Sequence, residues 1–195
     1  RSLERAQLAI KRLNDDRFDA AQVNAAELED IRELIRDTKP DVVINAVDPR
    51  FVMPIFLACE IENTNYMDMA MSLSRPHPKY PHTEVGVKLG DEQSARDWNW
   101  AERKIWAVVG MGIEPGLSDV LAKYASDELF GQIDELTVLD GSNIVIEGDS
   151  FAPSFSIWTT IEECLNPPLV WEDGKGWFTT KPFSEPQIFD FPEGI

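Results

Sequence analysis

Three short apolar runs, DVVINAV (41–47), YMDMA (66–70) and IWAVV (105–109), each follow a segment with helical spacing. This alternation limits the fold more than any other feature. Consecutive parallel strands need a crossover to carry the chain back, and a helix is the usual one. DVVINAV is apolar and largely β-branched, as expected of a strand covered on both faces. Before it, Leu28, Ile31, Leu34 and Ile35 recur on one helical face, and Lys39-Pro40 stops that helix. After it, Asp48-Pro49 turns the chain into the short helix PIFLACEIE, and DWNWAERK supplies the helix before the third run. Further upstream, Leu3, Ala6, Ile10 and Leu13 share a face behind Ser2 as N-cap. AAQVNA then reads as a weak strand ending at Asn24, and Asn24 with Glu27 as a capping-box-like start to the next helix. An opening helix of this kind ordinarily follows a strand, so the sequence is expected to begin inside its fold.

The charge balance narrows the function classes. The 35 acidic residues against 18 basic ones give a formal charge of -17, which disfavours nucleic acid as a partner. The same field would concentrate a cationic substrate such as a polyamine or a basic amino acid. No apolar run reaches the roughly eighteen residues of a membrane span, and RSLERAQLAI carries charges where a secretory signal would be apolar. Cys59 and Cys164 are expected as reduced, buried thiols of a cytoplasmic protein. His77 and His82 lie among prolines in the polar stretch 72–93, which reads as a surface loop. With no other histidine in the chain, no metal is expected there. Trp98 and Trp100 are expected to be packing residues.

Beyond about residue 115 the character changes. QIDELTVLDG and NIVIEG read as two strands, SIWTTIEECL as a helix, and PLVWEDGKGWFTT as a hairpin turning at Asp173-Gly174. Two domains are therefore expected, 1–115 and 116–195.

Between them lies IWAVVGMGIEPGLSDVLAKYA, where Gly110, Gly112 and Gly116 break an apolar run before a helix begins. Strand, glycine loop and helix is the context of a dinucleotide phosphate loop, and Asp140 could end the following strand as a ribose-binding acid. Two residues argue against that use. Pro115 removes a backbone donor, and Glu114 sets a carboxylate where a diphosphate would approach a helix N-terminus. The spacing favours a structural or substrate-facing turn.

DVVINAV, LACEIENTNYMDMA, GMGIEPGLSDVLAKYA, IWTTIEECLNPPLVWE and FDFPEGI together resemble the saccharopine dehydrogenase-like family, which includes saccharopine reductases, lysine-ε-dehydrogenases and carboxynorspermidine dehydrogenases. GIEPGLSD is the most specific element of that likeness. The resemblance implies an α/β protein: a Rossmann-like doubly wound parallel sheet, here without its first strand and phosphate loop, then part of an α+β substrate domain. It implies an internal piece of a longer NADP- or NAD-dependent oxidoreductase acting on a C–N bond of an amine or amino acid, in a homo-oligomer. An acceptable alternative on the same fold is a non-catalytic nucleotide-binding protein. Carried over by position, Arg1 and Ser2 would sit by the adenosine ribose and Asn24 near the adenine. Asn45, Ala46 and Val47 would lie near the cofactor's ribose, and Tyr66 on the nicotinamide side. Asp68 and Glu114 would be the carboxylates that steer substrate or handle a proton, and Pro115 and Gly116 would face substrate. Because the first strand supplies the sheet's centre, the piece made alone is expected to associate through an unpaired edge.

Overall fold

The computed structural model describes residues 2–139, 141 and 157–192. Its first part is a parallel three-stranded sheet with helices, as the alternation requires. Helix α1 (Leu3–Leu13) is followed by α2 (Leu28–Thr38), strand β1 (Val42–Asn45), α3 (Val52–Ile61) and β2 (Asn65–Asp68). Then come α4 (Asp91–Ser94), α5 (Asp97–Arg103), β3 (Ala107–Val108) and α6 (Leu117–Tyr124). The strands lie in the order β1-β2-β3, with Asn45 opposite Asp68 and Met67 opposite Val108. The carboxyl ends of all three strands therefore share one edge.

Local chemistry sets the boundaries. Lys39 takes a left-handed conformation after α2, and Pro40 prevents the helix from continuing. Before α3, the Asp48 carboxylate accepts the Arg50 N–H at 3.1 Å while Pro49 opens a 3-10 turn (Pro49–Phe51).

Apolar residues around most of α3 place it in the core. Ile55, Phe56, Ala58 and Cys59 pack with Ile31 and Ile35 of α2, Tyr66 of β2 and Trp100 of α5. The Phe56 ring meets Tyr66 edge-on at 5.2 Å and Trp100 at 4.7 Å. Burial pushes the Cys59 thiol up to about 12, so it is an inert core residue. Cys164 is exposed instead of buried. Of the two tryptophans expected to pack, Trp100 does, whereas Trp98 is 70% exposed on the far side of α5.

Two strand expectations change. AAQVNA forms no strand: the Asn24 side chain accepts the Ala26 N–H at 3.2 Å and its carbonyl accepts the Glu27 N–H at 3.0 Å. Asn24 thus makes an Asx turn, and Glu27 is the residue that precedes α2. A weak strand needs a neighbour to complete its ladder, and no described strand lies beside this one. Residues 132–139 pair with no strand either, while NIVIEG and Asp140 lie outside the described residues.

The later elements are α7 (Ile157–Leu165) and the antiparallel hairpin β4 (Leu169–Glu172) and β5 (Gly176–Thr179), which turns through Asp173-Gly174-Lys175. This hairpin docks on the proline-rich segment: the Thr179 hydroxyl donates to the Pro81 carbonyl at 2.9 Å. That segment is itself pinned where Arg75 and Val87 exchange two backbone hydrogen bonds of 2.8 Å.

Candidate functional site at the carboxyl edge of the sheet

In open α/β sheets, ligands bind beyond the carboxyl ends of the strands. Here that edge carries a cleft of about 840 Å³ lined by Val23, Asn24, Ala25, Val47, Phe51 and neighbouring polar groups. Its wall is apolar at Val23, Ala25, Val47 and Phe51, with amides at Gln22 and Asn24 and carboxylates at Asp30 and Asp48. Apolar faces with a few amides and carboxylates suit a neutral aromatic base and sugar hydroxyls. The two carboxylates would repel a diphosphate. The fold thus brings together Asn24 and Val47, which lie 23 residues apart in sequence.

Beneath the same edge runs a buried polar chain. The Asn45 amide donates to the Tyr66 hydroxyl at 2.9 Å, and that hydroxyl donates to Asp68 Oδ2 at 3.0 Å. The Gln93 amide donates to the same Oδ2 at 2.7 Å. Asp68 Oδ1 accepts the N–H groups of Met71 at 3.1 Å and Gly110 at 2.8 Å, and the Asp68 carbonyl accepts the Met111 N–H at 2.8 Å. Asp68 is 1% exposed and Tyr66 fully buried. Burial raises the Tyr66 pKa, so the phenol stays protonated and serves as a donor. Both oxygens of Asp68 are occupied by these donors. Its place is that of a clamp joining β2 to the turn after it and to the glycine turn after β3. Asn45 has a second role: its Oδ1 accepts the Val47 N–H at 3.2 Å, shaping the exit of β1 into the cleft.

The glycine turn is closed upon itself. The Gly112 N–H donates to the Pro115 carbonyl, Leu117 N–H to Gly112, Ser118 N–H to Ile113, and Gly116 N–H to the Asp119 carboxylate. With Gly110 and Met111 held by Asp68, these donors are not directed at a ligand. This geometry agrees with a structural turn and not with a phosphate cradle. A Cβ on Gly112 would come within 2.5 Å of the Met69 carbonyl, and one on Gly116 within 2.5 Å of the Gly110 carbonyl. The glycines therefore admit neighbouring backbone.

The remaining expected residues fall into separate places. Ala46 is exposed beside Val47 at the end of β1, and Glu114 is exposed at the tip of the glycine turn, with Pro115 half-buried behind it. Ser2 precedes α1 without a side-chain cap, and Arg1 lies outside the described residues. Gln93 was not legible as a site residue, since a glutamine in a polar stretch carries no motif. No group of three or more His, Cys, Asp or Glu residues among those described could hold a metal ion. No described helix is long and apolar enough to cross a membrane.

A parallel sheet with a ligand-sized cleft and a built polar layer at its carboxyl edge defines a Rossmann-like nucleotide-binding unit. Residues 1–108 match the model of the saccharopine dehydrogenase NADP-binding domain, and the chain belongs to that family. It is 32% identical over 186 residues to a carboxynorspermidine synthase of Vibrio alginolyticus, covering 90% of this chain and 41% of the relative. It is 25% identical over 178 residues to a carboxyaminopropylagmatine dehydrogenase of Synechocystis, covering 88% of this chain and again 41% of the relative. The chain thus spans about two fifths of the length of these relatives. Among solved structures, apo saccharopine dehydrogenase (L-Glu forming) from Saccharomyces cerevisiae aligns with a TM-score of 0.47 at 17% identity, over 66% of this chain and 24% of that one.

Proposed function

We propose that this chain is part of an NAD(P)-dependent oxidoreductase that acts on a C–N bond of an amine, amino acid or polyamine-type substrate. One observation carries the reading. The 32% identity covers 90% of the chain, so the likeness continues past the NADP-binding region, through the glycine turn and into the later elements. The cofactor, when bound, supplies the hydride exchange between nicotinamide and an imine or amine carbon. Asn24, Ala46 and Val47 would hold its nucleoside part in the cleft, with Arg1 and Ser2 toward the ribose. The N–H groups of the glycine turn are used within the turn and by Asp68, so we assign the diphosphate no place there.

Glu114, exposed at the turn's tip, is the carboxylate we assign to steering a substrate ammonium, with Pro115 and Gly116 setting the tip's shape. Asp68, Asn45 and Tyr66 act from beneath the edge as positioning residues. The charge of -17 favours cationic substrates over anionic ones. We place the domain boundary near residue 115 and the protein in the cytoplasm, as a homo-oligomer.

The test uses the full-length parent with NADPH and NADH, offered saccharopine, lysine and carboxynorspermidine in the oxidative and reductive directions. Change in nicotinamide absorbance with one of these amines or its imine is expected. Binding of NADPH without turnover of any amine would make the chain a nucleotide-binding module instead. Val47→Glu adds a charge to the apolar wall of the cleft and is expected to weaken NADPH binding about tenfold or more, measured by fluorescence titration. Unchanged affinity would remove the cleft from the cofactor's path.

A further inference from the structure

We infer that Gln93 is a positioning residue for the cofactor-facing edge of the sheet, acting through Asp68 and Ser72. The inference rests on the nucleotide-binding reading above. Gln93 is 3% exposed, and both ends of its amide are used. Its Nε2 donates to Asp68 Oδ2 at 2.7 Å, and its Oε1 accepts the Ser72 N–H at 2.7 Å. One side chain from α4 therefore fixes both a carboxylate at the end of β2 and the backbone four residues further on. Between these two fixed points lie Met69, Ala70 and Met71. Met69 is exposed at 49%, and its carbonyl faces Gly112 of the glycine turn. Met71 has a positive φ of 61° and hands its N–H to Asp68, so the segment is held in a conformation that free chain seldom adopts.

The donor set also dictates the amide. Asp68 Oδ2 already receives the Tyr66 hydroxyl, and a carboxylate can only accept. The residue at 93 must therefore present a donor toward Asp68 and an acceptor toward Ser72. Glutamine provides both, and glutamate does not. In Gln93→Glu a second carboxylate would stand at hydrogen-bond distance from the first in a buried site, where like charges repel strongly. The segment from Met69 to Ser72 would move away and Asp68 with it, and the hydrogen bonds from Asp68 run through Tyr66 and Asn45 to Val47 in the wall of the cleft. Exchanging the two groups, Asp68→Asn with Gln93→Glu, restores a donor facing an acceptor between positions 68 and 93 and keeps the acceptor for Ser72. It also sets an amide NH2 against the Tyr66 hydroxyl, which loses its acceptor there.

The experiment measures the NADPH dissociation constant by fluorescence titration, and unfolding temperature without cofactor, in the full-length parent. Four proteins are compared: wild type, Gln93→Glu, Asp68→Asn and the double exchange. For Gln93→Glu we expect about tenfold weaker NADPH binding, within the range typical of groups that orient binding residues. The double exchange, which removes the charge repulsion but leaves the Tyr66 hydroxyl without its acceptor, should recover part of that loss. If Gln93→Glu lowers the unfolding temperature while the folded protein binds NADPH as tightly as wild type, the residue is structural only and the inference fails. Failure of the exchange to recover affinity overturns it too. If wild type itself does not bind NADPH, the nucleotide-binding reading fails first, and that outcome is recognisable without any variant.

A smaller effect arises at the same place. Ser72 is 1% exposed, and its hydroxyl has no hydrogen-bond partner among the described residues. Removing an unsatisfied buried hydroxyl leaves nothing broken. Ser72→Ala is therefore expected to leave the unfolding temperature unchanged or slightly raised. A clear loss in thermal unfolding would show that the hydroxyl is paired in the complete protein.

Discussion

Replacing Arg96 by alanine is expected to destabilise the protein by about 3 kcal/mol, because it leaves a buried carboxylate alone. Glu60 lies on α3 with its side chain 2% exposed. It accepts Arg96 Nε at 2.5 Å, Arg96 Nη2 at 2.8 Å and the Asn99 amide at 3.1 Å. This is a fork-to-fork pair with one further donor, the arrangement in which a buried charge can be tolerated. Arg96 is 37% exposed on its own side, so water can partly replace it, which sets the figure at the lower end of such losses. Glu60→Gln, which keeps the shape and removes the charge, should cost less than Arg96→Ala. Chemical denaturation of both variants checks the order, and equal stability of wild type and Arg96→Ala would discredit the pair as a structural element.

The pair also predicts an acid response. Hydrogen bonds from Arg96, followed by Asn99 and the nearby positive charges, outweigh burial and hold the Glu60 carboxyl below its ordinary value of 4.5. The folded state therefore binds this proton less readily than the unfolded one. Its contribution is full above the ordinary value and is lost as the pH falls through the lowered one. In Arg96→Ala this acid-side loss should shrink, since burial without a partner opposes the charged form.

Neither residue was legible as a pair, and the reason is instructive. Glu60 sits in an apolar helix pattern and Arg96 in a polar stretch, 36 residues later. Their meeting depends on how the turn that leads into α5 sits against α3, which periodicity does not encode. The strands of the parallel sheet were legible because DVVINAV, YMDMA and IWAVV are short apolar runs between helices, but the cover expected on both faces of DVVINAV is not found, since Ile44 is 69% exposed. The strand expected to end at Asn24 was not formed, since pairing needs a neighbour as well as a pattern. At the candidate site, Asn24 and Val47 could be placed through strand ends and family likeness. The role of Asp68 could not. A carboxylate at a strand end reads alike whether it faces ligand or, as here, accepts donors from Tyr66, Gln93, Met71 and Gly110.

Gly116→Ala is expected to be the most damaging single methyl group in the glycine turn. Gly116 has a φ of 136°, which a residue with a Cβ rarely adopts. Space is also lacking: the new Cβ would lie 2.5 Å from the Gly110 carbonyl, 2.8 Å from the Gly112 nitrogen, and against the Gly112 carbonyl. These are backbone atoms, so no side chain can rotate away. They belong to the turn that Asp68 grips through Gly110 and Met111, and relief in one place must disturb the other. Strain at such a φ costs about 1–3 kcal/mol and overpacking about as much again, so a total near 4 kcal/mol is expected. Gly174 supplies the control. It has a φ of 75° in the hairpin turn but nothing within 4 Å of its would-be Cβ, so Gly174→Ala should show only the conformational part. Denaturant unfolding of the two variants beside wild type compares a turn with room at a left-handed φ to one without room at a φ further from it. If Gly116→Ala costs no more than Gly174→Ala, neither the strained φ nor the close packing at Gly116 has the weight assigned to it. NADPH titration then adds the functional half: a disturbed turn pulls on Asp68, so affinity should fall together with stability.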